Sequence, residues 1–164
     1  MKVLIVDDEQ PARERLRQSL DDEPDYTVIG EAGNGYEALD VAARTRPDIV
    51  LLDIRMPGME GIETAHHLNE MNPPPAIVFT TAYDEYAIDA FEARAIGYVL
   101  KPVRRSRLVG ALQHASRLAG ATLRDAGASL ESQRRHVCAN AHGELRLIPV
   151  DDISCFRADQ KYVS

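Results

Sequence analysis

The chain has 164 residues, 45% of them apolar, and a formal net charge of −7; that suffices for one domain of common size with a real core, plus a remainder. Residues 1–120 hold 20 acids and 13 bases while residues 121–164 hold 6 of each, so the first part repels phosphates and only the second is left for contact with DNA. The apolar runs at 3–6 and 49–52 are far too short to span a bilayer, and Met1-Lys2 leads straight into a strand pattern without a signal-peptide shape, so no membrane contact and a cytoplasmic location are expected.

Short apolar, β-branched runs predict strands at 2–6, 26–32, 49–53, 76–80 and 97–100. Helical spacing predicts helices between and after them. The first covers 11–20, opened by Pro11, with Ala12, Leu16 and Leu20 four apart. The others cover 34–45, 60–71 (ending at Pro73-Pro74-Pro75), 84–95 and 104–118. Five repeats of strand then helix imply an α/β fold, a doubly wound five-stranded parallel sheet with helices on both faces. Residues 121–135 lose periodicity and carry Gly127, Ser129 and Ser132, the signature of a linker between a domain at 1–120 and a tail at 136–164. The tail reads as strands at 136–140, 145–150, 153–156 and 161–164, with a turn at His142-Gly143. Its two cysteines, Cys138 and Cys155, sit in apolar patterns and read as small buried or half-buried thiols, not a bridge or metal site.

Open parallel sheets place their sites at the carboxyl ends of the strands. Here those tips carry Asp7 and Asp8 on the first strand, Asp53 on the third, Thr80-Thr81 on the fourth and Lys101-Pro102 on the fifth. Three carboxylates on one edge repel one another unless a cation lies among them, and hard oxygen ligands of this kind suit Mg²⁺. A lysine offers positive charge to phosphate oxygens, and a threonine offers a hydroxyl. An acceptor carboxylate, a metal, a cation and a hydroxyl donor together make a phosphoryl-transfer site, where positioning and charge neutralisation do most of the catalysis. A carboxylate nucleophile yields an aspartyl-phosphate.

Singly, each residue has a plainer reading. Asp7-Asp8 and Asp53 resemble helix caps, Tyr98 resembles core, and Lys101-Pro102 resembles a loop. The conjunction points to the chemistry. Gly33-Asn34-Gly35-Tyr36-Glu37-Ala38 fits G-x-G-x-x-G/A, with Asp53 20 residues beyond Gly33, which is the layout of a dinucleotide fingerprint. It sits on the second strand, however, and leaves Asp7, Asp8, Thr81 and Lys101 unexplained, so a tight turn is the better reading. His66-His67 reads as a solvated helix face. Arg104, Arg105 and Arg107 read as the solvated start of the last helix.

Over residues 1–118 the sequence resembles the response-regulator receiver family with its CheY-like fold. The resemblance is carried by Val6-Asp7-Asp8-Glu9, Leu51-Leu52-Asp53-Ile54-Arg55-Met56-Pro57-Gly58-Met59, Thr81-Ala82, Gly97-Tyr98 and Lys101-Pro102, in that order. It implies that Asp53 is the phosphoacceptor. It implies that Asp8, Asp53 and the Arg55 backbone carbonyl ligate Mg²⁺, with Asp7 acting mainly through water. Lys101 would hold a phosphoryl oxygen, Thr81 would be the switch hydroxyl, and Tyr98 the aromatic whose rotation reports the switch. A sensor histidine kinase is the implied phosphoryl donor, and homodimer formation on phosphorylation the implied consequence. Such a protein is regulatory and assists only its own phosphorylation and dephosphorylation.

Arg55 and Tyr83 each lie two residues beyond a site residue. Both are large enough to screen the phosphoryl group from water, and Arg55 to pair with it. In the tail, His136-Val137, Gly143-Glu144-Leu145, Leu147-Ile148-Pro149-Val150-Asp151-Asp152-Ile153, Phe156-Arg157-Ala158 and Lys161-Tyr162-Val163 look like the opening of a LytTR-type DNA-binding domain. That is similar to the AlgR and LytR class of transcription regulators. Two or three short strands bury too little to stand alone, so the expectation is an incomplete output domain. Promoter DNA would then be a partner of a longer protein and not of this piece. The alternative is a receiver acting alone through protein contacts.

Overall fold

The computed structural model describes residues 1–83, 86–125, 136–141, 144–149, 158–159 and 162–163. The chain divides into two compact units, Met1–Asp125 and Ala126–Ser164.

In the first unit the continuous apolar runs become the middle of a sheet. β1 (Lys2–Val6), β3 (Ile49–Leu52) and β4 (Ala76–Thr81) are buried along nearly their whole length, as strands covered on both faces must be. β2 (Thr27–Ala32) and β5 (Gly97–Leu100) are only partly covered and form the edges. All neighbours pair in parallel, in the order β2-β1-β3-β4-β5. The expected doubly wound five-stranded sheet is therefore present.

Alternate strand residues face opposite layers. Val3, Ile5, Ile49, Leu51 and Val78 pack against Leu16 and Leu20 of α1 (Gln10–Leu20) and Leu108 and Leu112 of α5 (Arg105–Asp125). Leu4, Val6, Val50, Leu52, Ile77 and Phe79 pack on the other face. There they meet Ala38 and Val41 of α2 (Gly35–Thr45), Ala65 and Leu68 of α3 (Gly61–Asn69), and Ala90 of α4 (Ala87–Glu92). Each fully buried Leu or Phe of this set contributes about 1.5–3 kcal/mol.

Several boundaries differ from the sequence reading for identifiable reasons. Tyr26 precedes β2: its N–H donates to Glu23 O at 3.0 Å, closing a turn, and its hydroxyl lies 3.3 Å from Ser116 Oγ. α3 stops at Asn69, and Glu70 N–H turns back to His67 O. α5 continues to Asp125, five residues past the expected edge at 120, because a single Gly120 costs a helix only about 1 kcal/mol relative to Ala.

In the second unit, β6 (His136–Ala141) pairs antiparallel with β7 (Glu144–Pro149), with Cys138 opposite Leu147. β8 (Ala158–Asp159) pairs antiparallel with β9 (Tyr162–Val163). The expected turn at His142-Gly143, the strand at 153–156 and Cys155 lie outside the described residues.

Candidate functional site

Crossovers to opposite faces leave β1 and β3 adjacent, and their carboxyl ends open the crevice where such folds hold ligands. Asp7 follows β1 and Asp53 follows β3. Each is hydrogen-bonded into the neighbouring strand: Asp7 N–H to Ala32 O at 3.1 Å, and Asp53 N–H to Val6 O at 2.8 Å. Asp7 is fully buried and Asp53 is 5% exposed, whereas Asp8 is exposed. One carboxylate oxygen from each of Asp7, Asp8 and Asp53 lies within 4.8 Å of the other two.

Lys101, just past β5, reaches over β4 to this cluster. Its backbone N–H donates to Thr81 O at 2.7 Å, and its peptide bond to Pro102 is cis. Its Nζ donates to Asp53 Oδ2 at 2.8 Å and stands equally close to Asp7 Oδ2. The Asp7 contact is an ion pair without hydrogen-bond alignment, so Asp7 Oδ2 is buried with no hydrogen bond. The other oxygens are held by main chain: Glu9 N–H donates to Asp7 Oδ1 at 3.0 Å and Ile54 N–H to Asp53 Oδ1 at 2.7 Å.

Burial pushes the Asp7 carboxyl above its ordinary pKa, although the contact and charge of Lys101 pull it down. For Lys101, burial pulls the ammonium down, but the bond to Asp53 and the charge of both aspartates outweigh it, and its pKa rises. Three carboxylates against one ammonium leave an excess of negative charge at a site made only of hard oxygen donors, one of them lacking a hydrogen bond. That donor set fits Mg²⁺.

Thr81 ends β4, fully buried, and its Oγ1 accepts from Tyr83 N–H at 3.3 Å. Tyr98 on β5 is half-buried against Phe79, with ring centroids 6.5 Å apart, and its hydroxyl donates to the Tyr83 carbonyl. Tyr83 is thus held at both ends of its main chain by the two expected switch residues.

Arg55, expected to screen the phosphoryl group and able to pair with it, holds a carboxylate of its own chain in the resting protein. Its Nη1 donates to Glu60 Oε1 at 2.7 Å, which raises its pKa further. Its guanidinium lies 5.8 Å from the Tyr83 ring centroid and 5.5 Å from that of Tyr86. The two rings meet edge to face at 6.0 Å.

Some structural contributors carry no motif of their own. A Cβ on Gly61 would stand 2.0 Å from Asp53 O, so only glycine lets α3 begin against the acceptor's backbone. Gly61 N–H donates to Ile54 O at 2.7 Å. The G-x-G segment is explained by packing: Asn34 caps α2 by accepting from Glu37 N–H, Glu37 accepts from Gly33 N–H, and a Cβ on Gly35 would stand 2.3 Å from Thr64 Oγ1. It follows edge strand β2 and opens α2. His66 and His67 are exposed, as expected of a solvated face. Arg105 is exposed but engaged, pairing with Asp22 and Glu23 at 2.9 Å each. No described helix is long and apolar enough to cross a membrane.

The chain is similar to known proteins along this same frame. The positive alginate biosynthesis regulatory protein of Pseudomonas aeruginosa is 45% identical over 170 residues, matching 100% of this chain and 68% of that protein. The transcriptional regulatory protein BtsR of Salmonella typhi is 38% identical over 156 residues, matching 94% of this chain and 64% of that one. The chain thus spans about two thirds of the length of these curated relatives. The crystal structure of the response regulatory domain of protein mrkE from Klebsiella pneumoniae superposes with a TM-score of 0.68 at 32% identity, covering 74% of this chain and 99% of that domain. The model of the response regulator receiver domain matches residues 3–113, a stretch that contains the acidic crevice, Thr81, Tyr98 and Lys101, and the chain belongs to that family.

Proposed function

We propose that Asp53 accepts a phosphoryl group and that the receiver so modified controls transcription. The observation that carries this is a buried carboxylate at the tip of a central strand, with Lys101 Nζ at 2.8 Å and two further carboxylates within 4.8 Å. An Asp53 oxygen attacks phosphorus, the bond from phosphorus to the donor breaks, and the donor keeps the electron pair. With a sensor histidine kinase as donor, that bond is P–N and the leaving group is the imidazole. The two main-chain N–H bonds take up Oδ1 of Asp7 and Asp53 and leave Oδ2 of each turned to Lys101. Lys101, which pairs with Asp53 Oδ2 in the resting protein, moves its hydrogen bond to a phosphoryl oxygen. Asp8, Asp53 and the Arg55 carbonyl, with Asp7 beside them, would hold Mg²⁺, which would supply the remaining positive charge. This is self-modification and regulation, without turnover of a separate substrate.

A new phosphoryl oxygen accepts from the Thr81 hydroxyl and draws its Oγ1 away from the Tyr83 N–H that donates to it, and Tyr98 turns into the space that Thr81 vacates. The surface of α4, β5 and α5 changes with them and supports a homodimer. The tail pattern and the match to the alginate regulator, over the whole of this chain and 68% of that protein, support a LytTR-type output, which binds promoter DNA where that domain is whole, in the cytoplasm. A receiver acting alone through protein contacts is the second reading, favoured only by the small size of the described tail strands.

The test is incubation with Mg²⁺ and acetyl phosphate. Label on the wild type that disappears in Asp53→Asn is the expected result. Label that persists in Asp53→Asn, with Asp7 and Asp8 intact, overturns the assignment.

A further inference from the structure

We infer that Arg13 is a positioning residue that clamps the main chain carrying the acidic pair and so keeps the Asp7 and Asp8 carboxylates directed at Asp53. The inference rests on the function proposed above. Arg13 lies on the first turns of α1, and its Nη1 donates to the Asp7 carbonyl at 2.7 Å, with a longer contact of 3.5 Å to the Asp8 carbonyl. Its Nε donates to Glu31 Oε2 on β2 at 3.3 Å. Glu31 is itself fixed from the other side, because Arg17 reaches its Oε1 at 2.6 Å. The Arg13 side chain is 17% exposed, and its Nη1 would lie 3.8 Å from a Cβ on Gly33, so it is walled in on the side of the turn after β2.

The Asp7 peptide is consequently held from both ends, its N–H by Ala32 O and its carbonyl by Arg13. A planar guanidinium suits this task because one fixed fork serves a carboxylate and a carbonyl at once. The clamp is needed most at Asp8, which is exposed while Asp7 and Asp53 are buried.

Charge alone predicts the opposite effect. A cation beside a metal site repels the metal, so if Arg13 acted only as a charge, removing it would tighten Mg²⁺ binding. If Arg13 positions the ligands, removing it weakens binding. The two roles are therefore separated by sign.

The experiment is calorimetric titration of Mg²⁺ into the full chain and into Arg13→Gln, Arg13→Lys and Arg17→Gln. Arg17→Gln removes a charge and a Glu31 pair from the same face without touching the Asp7 or Asp8 carbonyls. We expect Arg13→Gln to raise the Mg²⁺ Kd roughly tenfold, the lower end of what loss of a ligand-orienting partner costs. Arg17→Gln should leave it unchanged or lower it. Melting temperatures of the two variants show whether both simply lose stability. Unchanged or tighter binding in Arg13→Gln overturns the inference. Should that variant not fold, Arg13→Lys, which keeps the charge, decides by the same criterion. If the wild type takes up acetyl phosphate on Asp53 and binds Mg²⁺ while Arg13→Gln matches it, only the clamp falls. If the wild type binds no Mg²⁺, the clamp and the metal-assisted reading fall together.

Discussion

The first residue of α3, Gly61, lies directly against the carbonyl of Asp53: a Cβ there would stand 2.0 Å from that oxygen. The acceptor strand and the helix that follows it are packed as closely as two backbones allow, and the contact leaves no slack for a methyl group. Gly61→Ala therefore has to displace either the α3 terminus or the Asp53 peptide. Overpacking of this kind costs about 1–3 kcal/mol. Urea unfolding should show a loss at the upper end of that range, with slower phosphorylation of the folded fraction. A variant as stable as the wild type would mean that the helix start yields freely.

Lys101 faces two buried carboxylates, and its removal leaves them without a compensating charge. Lys101→Ala should lower stability by roughly 3 kcal/mol in metal-free buffer, the range for breaking a buried pair by removing one partner. Millimolar Mg²⁺ should restore much of that loss. Metal affinity should hold or improve, because the competing ammonium is gone, while the phosphorylated state loses a contact and accumulates less. Thermal melts with EDTA and with Mg²⁺ read the first effect. Equal destabilisation in both buffers would show that the lysine serves packing and not charge.

Thr81 and Tyr98 both bind the main chain of Tyr83, one accepting its N–H and the other donating to its carbonyl. Thr81→Ala should leave labelling of Asp53 intact but abolish the association that beryllofluoride induces in the wild type. Sedimentation at up to tens of micromolar distinguishes the two proteins. Identical association of Thr81→Ala and wild type would remove Thr81 from the switch. An unchanged mass for the wild type itself would remove the proposed dimer.

Arg55 is tied to Glu60, and its guanidinium lies 5.8 Å and 5.5 Å from the ring centroids of Tyr83 and Tyr86. We propose that this group of one guanidinium and two rings obstructs the water that must approach in line with phosphorus. Arg55→Asn with Tyr83→Ala should speed decay of the phosphorylated protein about tenfold, or roughly 1.4 kcal/mol of barrier. Decay followed in Mg²⁺ after removal of acetyl phosphate is the measurement, and unchanged decay would end the shielding argument.

The central strands were legible because a strand buried on both faces has to be apolar throughout. Val3-Leu4-Ile5-Val6 and Ile49-Val50-Leu51-Leu52 leave no other place in a domain of this size. The tips were legible because charge interrupts those runs abruptly, at Asp7 and Asp53. Tyr26 was read into a strand because an aromatic residue next to Thr-Val-Ile fits strand and turn equally well; the turn that its N–H closes on Glu23 O, with its hydroxyl against Ser116 90 residues away, tells them apart. Arg13 and Gly61 were not legible as site-supporting residues. An arginine in a helical turn looks like solvated surface, and a glycine in the first turn of the helix expected at 60–71 carries no signal of what it packs against. Their significance lies in groups that the fold brings to them from elsewhere. Arg55 was read as a screen able to pair with phosphate from its position two residues after Asp53; that Glu60, five residues on, accepts from its guanidinium was not legible.

The hydrogen bonds from Asp53 N–H to Val6 O and from Lys101 N–H to Thr81 O have a consequence for how the protein fails. Both reactive residues extend the ladders of the central sheet by one rung, so their amides should exchange with solvent only through global opening. The reactive centre then has no local melting transition of its own. Under partial denaturation each molecule should be fully able to accept a phosphoryl group or unfolded altogether, and the labelled fraction at saturation should follow the unfolding curve.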